Sequence, residues 1–119
     1  MKSTTGSHTG TGTWLLQRAT AVVLALALPV LALYLLAAMP LDFAGWQKLL
    51  APLWVHVLLL TTVTALALHA WVGVRDILMD YVHPVGLRLA LYLTVIATLA
   101  GSVAWLAAIL FDAALGRAA

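Results

Sequence analysis

The sequence predicts an all-α membrane protein with three transmembrane helices, and three observations carry that reading. Hydrophobic residues make up 65% of the 119, charged residues only 8%, and mean hydropathy is +1.09. An ordinary soluble domain is about 45–50% apolar and about 25% charged, so these few charges cannot coat a water-facing globule. The charges also leave three uncharged stretches, 19–41, 49–74 and 89–111, of 23, 26 and 23 residues. A hydrocarbon core of about 30 Å takes roughly 20 helical residues, so each stretch crosses once and none crosses twice. Finally, there is no Cys, and six Lys/Arg stand against four Asp/Glu. Thiolate chemistry, disulfides and Cys-held metal clusters are excluded, and a net charge of +2 carries no nucleic-acid signal.

Each element follows in order. Residues 1–13 are mostly Ser, Thr and Gly without an apolar pattern, which reads as a flexible polar arm or one that orders on a partner. The first span covers about 14–39, with Pro29 inside it as an expected kink. A polar lead this long before a 23-residue apolar run fits a spanning helix better than a cleaved signal. Met39-Pro40-Leu41-Asp42 closes the span, and Asp42 is placed to cap a short interfacial turn, 43–50. Pro52 suits the start of the second span, about 52–82, whose apolar rhythm continues past Arg75 and Asp76 until His83-Pro84 stops it. Pro84 or Gly86 opens the third span, about 85–112.

Orientation rests on Lys and Arg alone. With the N-terminus inside, Lys2, Arg18, Arg75 and Arg88 are cytoplasmic, and Lys48 and Arg117 are outside. Arg18, Arg75, Asp76, Asp80, Tyr81, His83 and Arg88 then share one membrane face, where the polar chemistry collects.

Two histidines lie within the second span. His56 and His69 are 13 residues apart, roughly 220° of rotation and about 20 Å of rise, so they cannot serve one metal together. His69 sits about 9 Å inside the Arg75 boundary, a depth that suits a haem reaching toward the cytoplasmic polar layer. Its helix face carries Thr62, Ala65 and Gly73, which clears room for a flat ring. The same small residues also allow two helices to approach closely, and then His69 is a packing or proton-relay residue. His56, near Trp46 and Trp54, reads as an interfacial histidine. Trp14 reads as an anchor and Trp105 as a packing residue. Arg18 either snorkels to lipid phosphate or pairs with a carboxylate at its own depth. Asp80-Tyr81 at the boundary is either an interfacial pair or a hydrogen-bond donor with a carboxylate beside it. With so few polar groups, the chain makes a poor stand-alone pump or channel and reads as part of a larger assembly.

Gln17-Arg18-Ala19-Thr20-Ala21-Val22-Val23-Leu24, then His69-Ala70-Trp71-Val72-Gly73, then Asp80-Tyr81-Val82-His83-Pro84 resemble, in order and spacing, the small hydrophobic membrane anchor (the D-type, a cytochrome b anchor) of bacterial succinate dehydrogenase, complex II. The resemblance covers about 14–110. It implies a multi-pass protein of the bacterial cytoplasmic (inner) membrane, with a cytoplasmic N-terminus and a periplasmic C-terminus. Its partners would be the C-type membrane anchor, the iron–sulfur protein and the flavoprotein of the same complex, as a heterotetramer or a trimer of heterotetramers. It also implies one haem b shared with the C-type anchor. His69 would be an axial ligand of the haem iron, and Arg18 would lie near the propionates. Tyr81, with Asp80 beside it, would hydrogen-bond ubiquinone. The flavin and iron–sulfur chemistry of this succinate-to-quinone electron transfer lies in the other proteins of the complex, so this chain would be a non-catalytic anchor. A histidine that some relatives carry six residues before the arginine is Gly12 here, so His8 would have to reach or the contact is lost. The rival readings are a fumarate reductase anchor and a haem-free scaffold or transporter component.

Overall fold

The computed structural model describes residues 7–116, with side chains from 10 onward. Four helices follow one another: α1 (Ser7–Ala38), α2 (Phe43–Leu50), α3 (Leu53–Tyr81) and α4 (Val85–Ala114). Among the described residues there is no strand. Helices α1, α3 and α4 are each long and apolar enough to cross a membrane. At 1.5 Å per residue they run about 45 Å, longer than the hydrocarbon core, so their ends project or the helices tilt. The molecule measures 65 × 28 × 24 Å, the shape of a slender bundle.

The connections form where the sequence placed them. Asp42 caps α2, its Oδ1 accepting from Gly45 N–H at 2.7 Å. A Cβ at position 45 would lie 2.9 Å from that same oxygen, so a larger residue there would have to shift the capping side chain. Pro52 and Pro84 stand as the extended residues immediately before α3 and α4. α1 passes through Pro29 as continuous helix.

The amino-terminal arm is a correction within the described residues. From Ser7 onward it is the first turns of α1 rather than an unstructured lead. Once the apolar run beyond Trp14 is helical, each added residue costs only propagation, and Ser, Thr and Gly then extend the helix instead of having to nucleate it. Residues 1–6 lie outside the described residues, as do Lys2 and Arg117 of the charge count.

The core is a seam between α1 and α3. Thr20, Leu24 and Ala27 are buried on α1, and Val55, Thr62, Ala65 and Val72 on α3. On α3 these positions recur at seven-residue intervals, 55–62 and 65–72, which keeps one narrow stripe facing the neighbour. His69 lies seven residues after Thr62 and three before Val72, on that same stripe. The small residues on its face therefore bring two helices together: Gly73 faces Gln17, whose Nε2 would be 4.0 Å from an added Cβ.

α4 packs on α3, tied by Trp71 edge-on to Tyr92 at 5.6 Å, but its membrane-crossing window buries none of its residues. Trp105, expected as a packing residue, is 74% exposed for that reason. Most of α4 is left to lipid or to other chains.

At the α2 end, Tyr34 stacks edge-on against Trp54 at 5.0 Å and donates its hydroxyl to the Leu49 carbonyl at 2.9 Å. His56 is buried, and its Nε2 donates to the Leu50 carbonyl at 2.6 Å. It tethers the end of α2, because a helix terminus leaves carbonyls that need donors.

Candidate functional site

The antiparallel run of α1 and α3 brings the first turns of α1 beside the last turns of α3. A cavity of about 470 Å³ lies between them, lined by Gly10, Thr13, Trp14, Gln17, Arg18, Ala21, His69, Val72 and Asp76. Two of the four residues singled out from sequence, His69 and Arg18, meet here. Tyr81 and Asp80 do not line it. Both are exposed at the end of α3, Tyr81 at 78%, and the Tyr81 hydroxyl has no hydrogen-bond partner among the described residues. That is a side chain presented outward, on the same end of the bundle.

His69 is partly buried, and its Nδ1 lies 3.1 Å from the Thr20 hydroxyl across the seam. Its Nε2 has no partner among the described residues. Arg18 is exposed, with its guanidinium 5.5 Å from the centre of the Trp14 ring. A cation over an indole face is held by the ring quadrupole, so Trp14 helps to position Arg18. Asp76 lines the same cavity as Arg18 but pairs with Arg75 at 3.7 Å. Gln17 Oε1 is buried in the wall without a donor among the described residues, an unmet acceptor of the kind completed by another molecule, water included.

Thr20, Trp14 and Gln17 are the residues that the sequence left without a role at this site. The signal was present only in part: Thr20 falls within the Arg-Ala-Thr motif, but nothing in the sequence says that it faces His69. His8, whose reach toward Arg18 was in question, has its side chain outside the described residues.

Comparison with known proteins fits this arrangement. The family model described as "Succinate dehydrogenase/Fumarate reductase transmembrane subunit" matches residues 2–115. The chain belongs to that family. A curated relative, the succinate dehydrogenase hydrophobic membrane anchor subunit of Coxiella burnetii, is 30% identical over 99 residues, covering 83% of this chain and 86% of its own. The protein is thus an all-α, multi-pass membrane anchor whose family associates with the other components of the dehydrogenase or reductase.

The residues present also fit a haem as far as one chain can supply it. Among the described residues no three His, Cys, Asp or Glu cluster as a metal site. One imidazole nitrogen has no partner among the described residues, and a guanidinium sits at the same cavity. Such a set would suit a haem held jointly with another chain, His69 facing its iron and Arg18 its carboxylates.

Proposed function

We propose that this chain is the D-type anchor of a succinate:quinone oxidoreductase in the bacterial cytoplasmic membrane, N-terminus inside. It would hold haem b jointly with the C-type anchor and form one wall of the ubiquinone site beneath the iron–sulfur protein and the flavoprotein. The observation that carries this reading is His69, with Nδ1 engaged by Thr20 and Nε2 without a partner among the described residues, in a cavity shared with Arg18. The dehydrogenase is favoured over a fumarate reductase by the Coxiella burnetii relative's description.

Bound there, haem b supplies reversible one-electron exchange. His69 would offer its Nε2 to the iron from the seam between α1 and α3. Arg18, held over Trp14, would offer its positive charge to the carboxylates of that group. Tyr81 donates its hydroxyl to a quinone oxygen and stabilises the negative charge that develops there as electrons arrive. Asp80, the residue before it and also exposed, would accept or pass a proton at its carboxylate oxygens.

The test is His69→Ala in the assembled complex. The b-type absorption is expected to be lost or strongly altered while succinate oxidation by an artificial acceptor persists. A b-type spectrum unchanged in position and amplitude refutes the ligand assignment.

A further inference from the structure

The His69 contact raises a question of proton direction that the family relationship leaves open. Thr20 is only 5% exposed in the seam, and its hydroxyl lies within hydrogen-bond distance of three groups: the Leu16 carbonyl at 2.8 Å, the Gln17 carbonyl at 3.1 Å and His69 Nδ1 at 3.1 Å. A hydroxyl has one proton and two lone pairs. Both carbonyls can only accept, and the shorter contact, to Leu16 one turn back, is the ordinary threonine bond to the preceding turn of its own helix. The proton therefore goes to the carbonyls. What remains toward His69 is a lone pair, which is stable against Nδ1 only if Nδ1 carries a hydrogen.

From this we infer that Thr20 is the positioning residue that sets the His69 tautomer. Its Oγ1 accepts from Nδ1–H, which leaves the lone pair on Nε2 and orients the ring across the α1–α3 seam. The inference rests on the haem reading proposed above and deepens it. A ligating histidine whose other ring nitrogen donates a hydrogen bond is a stronger base toward its metal, and such supporting partners hold metal affinity by about 10–100-fold. The Leu16 carbonyl polarises the hydroxyl from behind, so the chain Leu16 C=O, Thr20 O–H and His69 Nδ1–H runs in one direction.

Two substitutions separate this role from mere packing. Thr20→Val keeps the shape and removes the acceptor. Thr20→Ser keeps the acceptor and removes a methyl group. The measurement is optical redox titration of the b-type haem in the purified complex, together with haem content. Without the Nδ1–H acceptor His69 donates less to the iron, so the reduced form gains. In Thr20→Val the reduced-to-oxidised ratio is expected to rise about tenfold at a fixed potential, an upward shift of about 59 mV, with lower haem retention. Thr20→Ser is expected to titrate with the unmodified complex.

If packing alone matters, the pattern inverts, with Val silent and Ser perturbed, and that result overturns the inference. An unchanged potential in Thr20→Val, in a complex whose haem is lost on His69→Ala, also overturns it while leaving the ligand assignment standing. Haem that survives His69→Ala instead overturns the underlying haem reading. Where Thr20→Val does not assemble, Thr20→Cys, with a weaker sulfur acceptor, must shift the potential in the same upward direction, and no shift refutes the role.

Discussion

Replacing Tyr81 by Phe removes one oxygen from a side chain that the rest of the chain does not use. Tyr81 is 78% exposed at the last position of α3, and its hydroxyl bonds to nothing among the described residues. Stability is therefore expected to change by no more than about 0.5 kcal/mol, as for other surface substitutions. Any functional loss must come from the bound quinone. A hydrogen bond to a group acquiring charge is worth about 1.5–3 kcal/mol. At about 1.4 kcal/mol per factor of ten, that corresponds to a roughly 10- to 150-fold fall in quinone reduction. Succinate oxidation through an artificial electron acceptor, which bypasses this edge of the membrane, should be unchanged in the same preparation, and so should the b-type spectrum. Equal loss in both assays would make Tyr81 a docking or structural residue. Undiminished quinone turnover would remove it from the site altogether.

Two further substitutions probe the frame around the cavity. Gly73→Ala adds a Cβ that meets Gln17 Nε2 at an ordinary contact of 4.0 Å, so it is expected to keep haem and to gain up to about 1 kcal/mol of helix stability. Gly73→Leu must push α1 away at a cost of about 1–3 kcal/mol, and its complex is expected to lose haem; equal haem contents in the two variants would contradict the close-approach role. His56→Leu keeps volume but strips the Leu50 carbonyl of its donor. It should lower the thermal denaturation midpoint, by the equivalent of about 0.6–2 kcal/mol, without altering the b-type spectrum. A spectral change would mean that the two ends of α3 are coupled.

Much of the frame is legible from sequence because a bilayer imposes a local test. Whether a segment crosses depends on its own length and apolarity, and the three uncharged stretches pass that test without reference to any neighbour. Asp42 as a cap, with Pro52 and Pro84 just ahead of their helices, is equally local: each acts on backbone groups within a few residues. The grouping of Arg18, His69, Asp80 and Tyr81 at one end follows from counting three crossings. The first turns of α1 escaped the same reading because Ser, Thr and Gly have low intrinsic preference for helix, and only attachment to the apolar run carries the helix back to Ser7.

What composition and spacing could not decide is which way each helix is rotated. A helix apolar on all sides carries no marked face. The tertiary structure turns Thr20 toward His69, 49 positions along the chain, and Trp14 under Arg18. It buries His56 against the end of α2 and leaves Trp105 on the outside of α4. The sequence alone determined three spans, with Arg18, Arg75, Asp76, Asp80, Tyr81 and Arg88 at one end, since length, hydropathy and proline act locally. Only the packing of α1 on α3 decided which nitrogen of His69 is free, because a hydroxyl's single proton is assigned by the groups that surround it in space.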